Sequence, residues 1–141
     1  MSKNSIFLGV FLVFISTFSA QAQETPSVEN TRLYFIAPND GDVINGPITV
    51  RFGLAGMGVA PAGIEKAGTG HHHLIIDAPL PPFDENIPLD ENHMHFGGGH
   101  TEVTISLAPG KHTLQLLLGD QNHLPHLPPV FSKIINITVT E

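Results

Sequence analysis

The octet PITVRFGL at residues 47–54 alternates without a break: Ile48, Val50, Phe52 and Leu54 fall on one side, Thr49, Arg51 and Gly53 on the other. A period of two is the mark of a strand with one face on a core, the habit of antiparallel sheets. Working outward, RLYFIAP (32–38) is an apolar strand stopped by Pro38, and the polar turn NDGD follows it. Downstream, HHHLIIDAP (71–79) is a strand, and TEVTISLAPG (101–110) places Val103, Ile105 and Leu107 together before a Pro-Gly turn. KHTLQLLLGD (111–120) aligns Leu114, Leu116 and Leu118, and PPVFSKIINITVTE (128–141) aligns Ile135, Ile137 and Val139.

No segment holds a helical period, and 12 prolines with 14 glycines punctuate nearly every turn. The expected fold is therefore all-β, a single antiparallel sandwich of about seven strands with long loops. The Pro-Gly turn, the HTLQLLL strand and the closing INITV strand resemble the last strands of immunoglobulin-like bacterial domains. Two stretches lack any period. AGMGVAPAGIEKAGTG (55–70) reads as a connection, and LPPFDENIPLDENHMHFGGGH (80–100) as a loop long enough to be functional.

Of the 141 residues, the first 22 have the layout of a secretory signal peptide: Lys3, an apolar run from Ile6 to about Phe18, and the small-x-small ending Ala20-Gln21-Ala22. The run is short for a span, which needs about 20 residues. Export to the periplasm or beyond is the expectation, with no membrane insertion once the signal is removed. Residues 23–31 read as a disordered lead-in, and 32–141 as the sandwich domain. The formal charge of −7 becomes about −8 when Lys3 leaves with the signal, which disfavours a nucleic-acid partner. The absence of cysteine excludes thiolate ligands and thiol catalysis. No G-x-S-x-G marks a serine hydrolase.

Nine histidines against six Lys plus Arg is the feature that composition cannot explain. On a strand, His71 and His73 share a face and His72 takes the other. His93 and His95 repeat the spacing, followed by His100 after three glycines. His123 and His126 flank Leu124-Pro125 in a turn. Three segments each offering two imidazoles at a strand end or in a loop predict a shared metal site from His71, His73, His93, His95, His123 and His126. His72, His100 and Met94 are weaker candidates, and Met94 should point away from its histidine neighbours. His112 shares parity with Leu114 and reads as structural. Asp77, Glu85, Asp90, Glu91 and Asp120 could add a carboxylate or orient an imidazole. Imidazole ligation suits zinc, copper, nickel and non-haem iron and disfavours calcium and magnesium; the expected export with nitrogen ligands leans toward copper, with zinc next.

GMGVAPAGIEKAGTGHHHLIID, ENHMHFGGGHTE and PGKHTLQLLLGDQNHLPHLPP together resemble the bacterial domain-of-unknown-function family numbered 4399, over about residues 32–140. The resemblance implies an exported single-domain protein and assigns no activity. His93, His95, Glu102, Pro109-Gly110 and His112 also mimic the order of a cupin metal motif. Their spacing departs from that motif, because Glu102 lies seven residues beyond His95.

Three functions compete. One is a periplasmic metal carrier or buffer, with a periplasmic protein as possible partner. Another is a metal-dependent enzyme of unknown substrate, roofed by loop 80–100. The third is a metal-free envelope domain that binds a partner or glycan, with a pH-sensing variant in which clustered imidazoles repel once charged.

Overall fold

The computed structural model describes residues 24–141; the expected signal peptide at 1–22 lies outside the described residues. Nine strands occur among these residues: β1 (Arg32–Ala37), β2 (Val43–Asn45), β3 (Ile48–Ala55), β4 (Gly58–Val59), β5 (Thr69–Ile76), β6 (His93–His95), β7 (Glu102–Ile105), β8 (Gly110–Gly119) and β9 (Ile135–Thr140). No helix among them is long and apolar enough to cross a membrane. The chain forms the all-β sandwich that the alternation in β3 predicts.

One sheet has the order β1-β3-β7 and the other β2-β9-β8-β5-β4, with β6 also paired to β5. The inward residues of β3, Ile48, Val50 and Phe52, meet Leu74 and Ile76 of β5, Leu114, Leu116 and Leu118 of β8, and Ile137 and Val139 of β9 in one core. Burying each such side chain contributes roughly 1.5–3 kcal/mol.

Four details depart from the sequence reading. Strands β4 and β6 arise in the two stretches without a period, and β2 in the gap between the NDGD turn and β3, because two or three residues are too few to show one. β2 pairs parallel with β9, and β4 parallel with β5, so the sandwich is not wholly antiparallel. Residues 128–134 precede β9 rather than extending it. Residues 24–31, expected as a disordered lead-in, lie along the loop after β8. Ser27 N–H donates to Leu127 O at 3.1 Å and Leu127 N–H to Thr25 O at 2.9 Å, so this segment satisfies backbone groups that the loop would otherwise leave open.

Every residue of β5 after Thr69 is buried, because this strand is covered on both faces. Leu74 and Ile76 look inward. Ile75 looks outward, where Ile87 and Leu117 cover it in a second small core. The long loop after β5 thus roofs the outer face of the larger sheet. His71 and His73, which share parity with Ile75, lie under that roof.

Candidate metal centre

The site is built on strand parity. His71 and His73 project from the outer face of β5, fully buried, and their Nε2 atoms are 3.0 Å apart. β6 pairs antiparallel with β5 so that His95 stands opposite His73. The loop after β8 brings His123, whose Nε2 lies 3.0 Å from His95 Nε2. The ring centroids of His71 are 4.9 Å from those of His73 and His95 and 5.1 Å from that of His123. One nitrogen from each of His71, His95 and His123 falls within 4.8 Å of the others. His95 and His123 are only partly buried, so the cluster opens to solvent on their side.

Backbone details hold these rings in place. His123 has a positive φ of 65°, a left-handed conformation that costs an L-residue on the order of 1 kcal/mol. The loop is held there by buried Asp120, whose Oδ1 accepts from Asn122 N–H at 2.8 Å and Leu124 N–H at 3.0 Å. Its Oδ2 accepts from Thr25 Oγ1 at 2.6 Å, and Ile87 N–H donates to His123 O at 2.8 Å. Glycines make room for two of the rings. A β-carbon on Gly97 would lie 2.6 Å from His95 Nε2, and one on Gly119 would lie 2.8 Å from His73 Nε2.

The electrostatics favour neutral imidazole, the form with a free lone pair. Burial pushes His71 down to about 4, with the neighbouring His95 and His123 adding to the shift. Burial also pushes His73 down to about 2, reinforced by His71, His95 and His123. Burial and His123 lower His95. The rings therefore offer nitrogen ligands without first losing a proton.

Two of the six sequence-predicted ligands sit elsewhere. His93 turns to Asp90, Nδ1 to Oδ1 at 2.7 Å, within its own tight turn. His126 donates from Nε2 to Thr69 O at 3.0 Å and packs against Gly70, anchoring the loop rather than joining the cluster. Of the weaker candidates, His72 faces the inter-sheet core against Phe52, at a ring distance of 5.0 Å. Met94 packs on that same core, and His100 is exposed. His112 is structural, held by Asp77 Oδ2 at 2.6 Å and Ala108 O at 2.8 Å. Asp77 and Asp90 thus serve other histidines, Glu85 and Glu91 are exposed, and Asp120 acts on the His123 loop.

The donor set is chemically suited to a transition metal. With metal–nitrogen bonds of 2.0–2.1 Å, tetrahedral nitrogens stand roughly 3.3 Å apart. Within the triad, His95 Nε2 and His123 Nε2 at 3.0 Å stand close to that spacing, and a nitrogen of His71 lies within 4.8 Å of both. His71, His95 and His123 could hold an ion; His73 touches His71 but lies outside the set of three mutually close donors.

A family model described as "Domain of unknown function (DUF4399)" matches residues 50–140, more than half of the chain. No curated protein matches. Among solved structures, the chain is similar to one titled "Structures of Clostridium thermocellum CbhA fibronectin(III)-like modules". The identity is 9%, the match covers 76% of this chain and 92% of that one, and the TM-score is 0.40.

Proposed function

The chain belongs to the DUF4399 family, whose description assigns no activity, and from its own residues we propose a metal-binding protein that carries or buffers copper, with zinc as the second candidate ion. The observation that carries the reading is the meeting of His71, His95 and His123 from three separate segments, with His73 in contact with His71. Neutral nitrogen ligands and the lack of a carboxylate among them favour copper or zinc over magnesium and calcium. The leader-like sequence at 1–22 supports action in the periplasm or outside the cell, with another protein of that compartment as the donor or acceptor of the ion.

A second reading rests on a different observation. His71 Nδ1 and His73 Nδ1 are buried without a hydrogen-bond partner, whereas metal-bound histidines usually donate their other nitrogen to an acceptor. In that reading the 3.0 Å contacts are hydrogen bonds between neutral rings of a metal-free envelope domain that binds a partner.

Elemental analysis separates the two. The protein is purified without a histidine tag or nickel resin, then dialysed against equimolar copper and zinc. The metal reading expects close to one ion per chain, lost in His71→Ala and His123→Ala but kept in His100→Ala, whose ring is exposed and outside the cluster. Uptake far below one ion, or uptake unchanged in the first two variants, favours the metal-free reading.

A further inference from the structure

Away from the histidines, a cleft of about 550 Å³ separates β1 from the segment before β9. Its two walls are strand edges from different sheets. β1 ends the smaller sheet, so one side of its backbone has no neighbouring strand. On the other wall, Phe131 forms an antiparallel bridge with Leu117 of β8. The bonds of that bridge run from Leu118 N–H to Val130 O and from Ser132 N–H to Leu116 O, each 2.9 Å. This pattern turns the N–H and C=O of Phe131 itself away from β8. Neither group has a partner among the described residues.

The cleft has an apolar lining and a basic rim. Leu33, Phe35 and Val130 contribute to the lining, while the partly exposed ring of Phe131 stacks on Phe83, with centroids 5.8 Å apart. Arg32 and Lys133 are both exposed at its rim, and neither takes part in an ion pair among the described residues. The one carboxylate on the lining, Asp40, is bound to Asn136 through the backbone N–H at 2.7 Å and the side-chain amide at 3.2 Å. Asp40 stays ionised, so with Arg32 and Lys133 the cleft carries two cations against one anion, opposite in sign to a chain whose formal charge is −7.

We propose that this cleft is a docking site for an extended peptide segment of a partner protein, one that alternates acidic and apolar side chains. The peptide's backbone pairs with the edge of β1 and with Phe131. Its apolar side chains enter the lining, and its carboxylates meet Arg32 and Lys133. Strand addition of this kind takes affinity from main-chain hydrogen bonds and selectivity from alternate side chains. Long exposed edges are otherwise aggregation hazards that proteins cover or blunt. The inference is independent of the metal reading, because no lining residue belongs to the histidine cluster.

The test uses two blocked hexapeptides, one alternating glutamate with valine and one alternating lysine with valine. They are titrated into the isotope-labelled protein and followed by amide chemical shifts and hydrogen exchange. The expected result is saturable binding of the glutamate peptide, with slowed exchange across residues 32–37 and at Phe131. The lysine peptide should bind at least about tenfold more weakly, and the Arg32→Glu/Lys133→Glu variant should reverse that preference. Both substituted residues are exposed, so the variant retains the core. Absence of saturation, or equal binding of both peptides, would overturn the proposal. So would self-association of the free protein through β1 in sedimentation, which would give the edge to a second copy of this chain.

Discussion

Acidification from about pH 7.5 to about pH 5 should cost the metal-free protein several kcal/mol of stability. His71, His72 and His73 have no solvent exposure. Burial lowers their pKa values from 6.5 to about 4, 4 and 2. Between those values and 6.5 the unfolded chain binds protons that the native chain refuses. The stability held by each neutral ring is therefore complete above about 6.5 and falls as the pH drops. At 1.36 kcal/mol per pH unit, each ring loses roughly 2 kcal/mol by pH 5, and the three together roughly 6 kcal/mol as an upper bound. His112 works the other way. The Asp77 carboxylate beside it raises its pKa, so its contribution is full at low pH and is lost as pH rises through the raised value. One opposing group of partial burial cannot cancel three buried ones. A domain with a total of about 5–15 kcal/mol should therefore come close to unfolding. Urea denaturation of chelator-treated protein at the two pH values measures the difference. A loss below about 1 kcal/mol would refute the claim that the triplet is dry and neutral in the native state.

Other perturbations test separate joints of the account. His72→Leu replaces a core ring that has at best a weak contact with the His100 backbone and no well-formed hydrogen bond, and it should raise stability at neutral pH by about 1–2 kcal/mol in the same denaturation assay. Gly97→Ala drives a β-carbon against His95 and should weaken metal affinity at least about tenfold while leaving the core intact, as read by competition with a chromophoric chelator. Asp120→Ala removes three hydrogen bonds from the His123 loop and should cost about 2–4 kcal/mol of stability as well as metal affinity, which thermal melts with and without the ion would show.

The sheets were legible because β3 alternates Ile48, Val50, Phe52 and Leu54 with Thr49, Arg51 and Gly53, and β8 aligns Leu114, Leu116 and Leu118 on one face. The same parity rule separates His71 and His73 from His72 on the sequence alone. The partners of that pair were less legible. His95 meets His73 through the register of β6, a three-residue strand in a stretch without a period. His93 and His126 looked equivalent to their neighbours in spacing, yet each is taken by a local acceptor, Asp90 and Thr69 O, that spacing does not reveal. The GDQNH turn did carry a readable signal. An Asp that accepts the N–H two residues on is an Asx turn, and Asp120 uses one to fix His123. The space supplied by Gly97 and Gly119 could be seen only once the opposing rings were in place.

The most direct measurement is X-ray absorption at the metal edge of the copper- or zinc-loaded protein. The account predicts three or four nitrogen neighbours at about 2.0 Å with the outer-shell scattering of imidazole, reduced by one in His95→Ala. A shell dominated by oxygen, or a nitrogen count unchanged in His95→Ala, would contradict it.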